Sequence, residues 1–303
     1  VTEFLQYCER KNVGVIIIVY SEKRLFMKHA CFLFLLSIAG FQLNAQNCCV
    51  QNNGWVAMAS TQKFQAAHEA PLPFEYESKT GKMISFETKD GKEGRAFYLP
   101  SDQATNNVLL VFPEWWGLND YIKQEAERWQ KMLGNIDVYA IDLYDGNVAT
   151  TPEEAKKYAT ALDEKRGKNI VEGVLAVVGT DKNVATLGWC MGGAWSFTAT
   201  ILAGQQAKAC VMYYGFPEQD SATISQLKCD VLYNWGSKDA FITKDKIDAF
   251  QKNIVATQHQ FILHSFRADH AFANPSNPKH DPAATEEANS YAFKFLKEKL
   301  QLQ

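Results

Sequence analysis

The 303-residue sequence has no Cys-x-x-Cys pair, no cluster of lysines and arginines, no internal repeat and no low-complexity tract. Without paired cysteines, a dithiol redox centre and a zinc ribbon have no scaffold. Without a basic cluster to track phosphates, nucleic acid is excluded as a partner, and the formal charge of −3 points the same way. The apolar runs Val13 to Tyr20 and Ala30 to Phe41 are too short to cross a bilayer of ~30 Å, so no stable membrane span is expected in the mature chain. Seven cysteines are too few for a disulfide scaffold in a chain this long, although a pairing among Cys48, Cys49, Cys210 or Cys229 stays open in an oxidising compartment. No metal and no cofactor are expected.

What is present divides the chain. Met27-Lys28-His29, the apolar run to Phe41 and the ending Leu43-Asn44-Ala45 have the order of a secretory signal, with cleavage near Ala45. Residues 1–26 then read as an upstream extension, 27–45 as signal peptide, 46–82 as a loose, partly helical lead-in, and 83–303 as one catalytic domain. The expected location is periplasmic or secreted. Gln46 and Asn47 separate the small residue from Cys48, which disfavours lipid attachment.

From Met83 onward, short apolar runs alternate with amphipathic segments. Met83 to Glu87 and Gly94 to Leu99, joined across Asp90-Gly91, predict a hairpin. Val108 to Phe112, Val138 to Ile141, Val184 to Leu187, Ala209 to Tyr214, Val231 to Trp235 and Phe261 to Leu263 suit strands buried on both faces. Helices are predicted over Asp120 to Leu133, Pro152 to Asp163, Lys168 to Val178, Gly193 to Leu202, Thr243 to Ala256 and Ala284 to Leu300. Thr151-Pro152-Glu153-Glu154 carries a cap, a first-turn proline and two acids at the positive end of the dipole. The alternation predicts an α/β fold, a mostly parallel sheet covered on both faces by helices.

Within that alternation, Gly188-Trp189-Cys190-Met191-Gly192 lies where a strand turns sharply into a helix. This is the spacing of the nucleophile elbow with sulfur for oxygen. The glycines admit the strained turn, and a helix N-terminus lowers a thiol's pKa. A buried packing cysteine is the alternative reading. A thiol hydrolase also needs a base and an acid in the order nucleophile, acid, histidine. Asp239 follows the run Val231 to Trp235 in Gly236-Ser237-Lys238-Asp239, and His270 follows the next strand in Arg267-Ala268-Asp269-His270-Ala271-Phe272. His29, His68, His259, His264 and His280 read as surface or packing residues. Asp269, Asp245 and Asp248 are poorer partners than Asp239.

These segments together resemble the dienelactone hydrolase family, thiol-dependent members of the α/β-hydrolase fold, over about Met83 to Leu300. The resemblance implies the triad Cys190, Asp239 and His270, with an oxyanion hole from the amides of Met191 and Trp115. It also implies that Glu114, in Phe112-Pro113-Glu114-Trp115-Trp116-Gly117, contacts the resting cysteine and aids its activation. Beside two tryptophans this acid is expected to be half-buried, with a raised pKa. Trp116, Tyr144, Phe272 and Asn274 are the expected pocket walls. Family members that act on dienelactone hold its carboxylate with two arginines. Here one position is Asn274 and the other, near Glu154 to Tyr158, has none; Arg166 and Arg267 read as solvated surface residues.

The expected activity is therefore cleavage of a small ester or lactone, not an anionic dienelactone, by a monomer or homodimer. The alternatives are a non-catalytic binding protein on a hydrolase fold and a redox thiol protein.

Overall fold

A computed structural model describes residues 54–303. The upstream extension, the signal-type segment 27–45 and the Cys48-Cys49 pair lie outside the described residues. In chain order the elements are α1 (Gly54–Ala59), α2 (Gln62–Ala66), β1 (Lys82–Glu87), β2 (Glu93–Leu99), β3 (Asn107–Phe112), α3 (Asp120–Leu133), β4 (Asp137–Asp142), α4 (Pro152–Ala161), α5 (Glu164–Val178), β5 (Asn183–Trp189), α6 (Met191–Ala203), β6 (Ala207–Tyr213), α7 (Ser221–Ile224), β7 (Asp230–Gly236), α8 (Lys244–Val255), β8 (Phe261–Phe266) and α9 (Pro282–Lys299).

The eight strands form one sheet in the order β1-β2-β4-β3-β5-β6-β7-β8. β1 and β2 pair antiparallel, β2 joins β4 antiparallel, and every later pairing is parallel. The apolar runs fill the middle of this sheet: β3, β5, β6 and β7 are buried at nearly every position. Strands covered on both faces have no solvent side to alternate with. β1, at the edge, is mostly exposed.

Local chemistry sets the helix ends. Asn119 accepts from the Ile122 amide to start α3, which Gly134 closes at φ 83°. Thr151 caps α4 through the Glu154 amide, with Pro152 in the first turn. α6 rests on β5 and β6 through a buried hydroxyl cluster. Ser196 donates to Thr186 at 2.9 Å and reaches the Val211 carbonyl at 3.1 Å, which satisfies polar groups the sheet would otherwise strand.

Two expectations need correction. The lead-in is partly helical, as expected, and 67–81 has no helix or strand, but its first part is packed rather than loose: Trp55, Ala59, Phe64 and His68 are buried. An apolar face on so short a helix pair gains stability only by docking on the domain. Arg166 is not a solvated surface residue. α5 begins at Glu164, and the Arg166 guanidinium lies under the β1–β2 turn, 3.1 Å from Asp90 and donating to the Glu93 carbonyl at 2.6 Å. It also pairs with Asp145, so its charge is spent on the scaffold.

Candidate active site

β5 ends at Trp189, and Cys190 makes the turn into α6 at φ 54°, ψ −117°, a region L-residues rarely occupy. The flanking glycines permit it. A Cβ on Gly188 would strike the Gly192 carbonyl, and one on Gly192 would strike the Phe112 and Pro113 carbonyls of the neighbouring strand end. The Cys190 amide donates to the Tyr213 carbonyl at 3.0 Å, which fastens the turn to the end of β6.

The loops after β7 and β8 bring two more side chains to the same edge. His270 Nε2 lies 3.4 Å from Cys190 Sγ, and Nδ1 lies 2.6 Å from Asp239 Oδ2. With Nδ1–H donating to the carboxylate, Nε2 presents its lone pair to the sulfur. The other Asp239 oxygen accepts from the amides of Phe241 and Ile242 at 2.8 and 3.0 Å. Burial opposes ionisation of Asp239, but the His270 charge and these hydrogen bonds outweigh it and hold the carboxyl below its usual range.

The thiol behaves differently from the sequence expectation. Burial first, and then the Glu114 carboxylate, push the Cys190 pKa well above its ordinary value. The amides of Met191 and Trp115 pull the other way without prevailing. A helix N-terminus lowers a thiol's pKa where solvent or a cation helps; here Cys190 is 1% exposed and faces an acid.

Glu114 is fully rather than half buried, and desolvation raises its pKa to about 7. Its oxygens are taken by the Tyr214 hydroxyl, donating at 3.1 Å, and by the Asn274 side-chain amide. It therefore acts on Cys190 through its charge, with both hydrogen-bonding partners elsewhere. Asn274 is held in turn by Ser276, whose amide and hydroxyl both donate to its Oδ1 at 2.8 Å. Glu114, Trp116, Trp189, Asn274 and Ser276 share a narrow cleft. Tyr144 and Phe272 do not line it. The Tyr144 hydroxyl donates to the Trp115 carbonyl at 3.1 Å, and Phe272 packs edge-on to Tyr214 and tilted against Phe266. These contacts tie both rings to the loops that carry Trp115 and His270.

Sequence reasoning missed three residues. Tyr214, just past β6 at φ 41°, supplies a hydrogen bond to Glu114. Phe64 and His68 come from the lead-in. Phe64 packs on Trp55, Trp115, Phe241 and His270, while His68 stacks on Phe64 at 3.9 Å and meets His270 edge-on at 5.3 Å. His68 Nδ1 lies 2.7 Å from the Phe64 carbonyl, and Nε2 has no partner among the described residues. Burial, then the His270 charge, lower its pKa to about 3, so the ring is neutral at ordinary pH. The four-residue step from Phe64 to His68 was a visible one-face signal, but nothing local says where that face docks.

A mostly parallel eight-stranded sheet with a cysteine at a strand-to-helix turn, and an acid and a histidine on later strand ends, defines an α/β-hydrolase fold. The profile of the dienelactone hydrolase family matches residues 95–300, and the chain belongs to that family of hydrolases. A carboxymethylenebutenolidase of Pseudomonas sp. (strain P51) is 28% identical over 233 residues, which cover 71% of this chain and 94% of the relative. Carboxymethylenebutenolidase 1 of Cupriavidus pinatubonensis is 25% identical over 203 residues, covering 62% and 85%. Among solved structures, a dienelactone hydrolase-like promiscuous phosphotriesterase from metagenomic libraries has a similar fold. Its TM-score is 0.60 at 19% identity, covering 73% of this chain and 99% of that one. Phe64 and His68 precede the matched span.

Proposed function

We propose that the protein hydrolyses small, uncharged esters or lactones through a covalent thioester on Cys190. The observation that carries this reading is the continuous contact from Asp239 through His270 to the sulfur, at 2.6 and 3.4 Å. Sulfur attacks the carbonyl carbon as its proton passes to His270 Nε2. The carbonyl oxygen takes the electron pair beside the amides of Met191 and Trp115, the two donors of the proposed oxyanion hole. His270 returns the proton to the departing alcohol, then takes one from water as that water attacks the thioester. Free acid leaves and the thiol is restored. Asp239 keeps the imidazole in the tautomer this requires. Glu114 keeps the resting sulfur protonated, which protects it until a substrate arrives.

The uncharged substrate class rests on charge accounting. Arg166 is committed to Asp90 and Asp145, Asn274 to Glu114 and Ser276, and Arg267 is exposed. A substrate carboxylate buried without a cation would be costly. Intact-protein mass spectrometry during turnover of short aryl esters and lactones tests the reading. The expected result is an acyl adduct on Cys190 that Cys190→Ala abolishes together with turnover; undiminished turnover in that variant overturns it. Export through the segment Met27 to Ala45 is part of the proposal, and a mature periplasmic or secreted form whose first residue lies far from Gln46 would contradict it.

A further inference from the structure

Two histidines face each other over the sulfur, and only one is used by the hydrolytic reading. His270 donates Nδ1–H to Asp239 and turns Nε2 toward Cys190. His68 is built on the same plan: its Nδ1 is engaged by the Phe64 carbonyl at 2.7 Å, which leaves Nε2 as a bare lone pair, buried and without a hydrogen-bonding partner. A buried acceptor with nothing to accept from is costly unless something else fills that role. One ligand atom from each of His68, Cys190 and His270 lies within 4.8 Å of the other two.

We propose that His68, Cys190 and His270 form a three-ligand site for a divalent cation of the zinc type, and that its occupancy switches hydrolysis off. The donor set, two neutral imidazoles and a thiolate, suits a borderline-soft ion, and the fourth tetrahedral position stays open for water. One ligand separation already has the tetrahedral value, and the two to His68, within 4.8 Å, close on binding by a small inward shift of its ring. Zinc–nitrogen and zinc–sulfur bonds of about 2.0 and 2.3 Å place nitrogen and sulfur roughly 3.5 Å apart in a tetrahedron, and His270 Nε2 is 3.4 Å from Cys190 Sγ. Both imidazoles already carry the outer hydrogen bond that fixes a metal-binding tautomer, one to a carboxylate and one to a backbone carbonyl. On binding, the thiol releases its proton to solvent and the sulfur becomes a thiolate ligand. The remaining positive charge faces the carboxylates of Asp239 and Glu114, both buried nearby.

The switch follows because the ion occupies the sulfur and the Nε2 lone pair that the proposed reaction needs. This inhibition rests on the hydrolytic reading; the binding site does not. His68 comes from the lead-in, outside the span matched by the family profile.

Cobalt(II) is the probe, added to chelator-treated full-length protein and followed in the ultraviolet and visible, with zinc(II) as competitor. The expected result is one equivalent bound with a thiolate-to-cobalt charge-transfer band. Cys190→Ala removes the band, and both His68→Gln and His68→Ala weaken binding by at least about 100-fold while keeping the native circular dichroism. Wild-type protein without a thiolate band at millimolar cobalt overturns the site, a measurement that needs no variant to fold. Folded His68 variants that bind as tightly as wild type overturn it equally. Should Cys190→Ala keep full esterase activity while the wild-type site binds metal in a His68-dependent way, the hydrolytic reading fails and the metal site stands. The reverse pattern, acylation of Cys190 without metal binding, removes the site alone.

Discussion

Replacing Glu114 by glutamine isolates one buried charge whose effect on stability has a predictable sign. The folded-state pKa is raised from 4.5 to about 7. The stability this group contributes is therefore fully present below about pH 4.5 and is lost as pH rises through about 7, because the unfolded chain releases the proton first. One pKa unit is worth about 1.4 kcal/mol, so between about pH 5 and pH 8 wild type should lose about 2–3 kcal/mol relative to a residue that does not titrate. Below about pH 7 the protonated carboxyl offers one carbonyl acceptor and one donor, as a glutamine amide does, so both meet Tyr214 and Asn274 in the same way. Glu114→Gln should thus be about as stable as wild type near pH 5 and more stable, by about 2–3 kcal/mol, near pH 8. Urea unfolding followed by tryptophan fluorescence, run on both proteins at pH 5, 6, 7 and 8, reads the difference directly. Groups common to both, His68 included, cancel in the subtraction. A difference curve that stays flat across that range would refute the claim that Glu114 ionises late because it is desolvated.

Asp239→Asn should fold, since the amides of Phe241 and Ile242 can still donate to its carbonyl oxygen, yet lower kcat by about 10²–10⁴-fold by favouring the wrong imidazole tautomer; steady-state kinetics check it, and near-normal kcat would remove Asp239 from the mechanism. Alkylation of Cys190 by iodoacetamide in the resting enzyme should be slow at pH 7 and rise with pH, because burial and Glu114 hold the thiol protonated; a fast, pH-independent reaction measured by peptide mass mapping would contradict that. Phe64→Ala should cost about 3–5 kcal/mol in denaturant unfolding, the range for a fully buried aromatic ring. The same variant should speed Cys190 alkylation, since Phe64 packs against His270 and Trp115 directly beside the sulfur; loss of stability without faster labelling would show that the lead-in does not shield the thiol.

How much of this was legible depends on whether the signal is local. The strand cores, the hairpin at Asp90-Gly91 and α3 from Asp120 to Leu133 follow from periodicity and capping, and the structure has them within a few residues. The convergence of Cys190, Asp239 and His270 on one edge follows from parallel strands, which bring successive carboxyl ends to the same rim. The ionisation of Cys190 was not legible. The motif announces a helix N-terminus but is silent about the acid across the turn and the depth of burial, and those two decide the sign. Arg166 misled for a related reason: a basic residue in a polar stretch reads as solvated until the β1–β2 turn is seen to close over it.

The lead-in shows the same limit in its strongest form, and with a functional consequence. Trp55 and Phe64 belong to two helices of six and five residues, and His68 lies two residues past the second; helices too short to hold their own shape in water take their order from the surface they cover. That surface includes His270 and Trp115. Whatever loosens the helix pair uncovers the proposed nucleophile, and whatever binds between His68 and Cys190 holds the pair down. The catalytic rate of this enzyme should then depend on a segment lying outside the span it shares with its family.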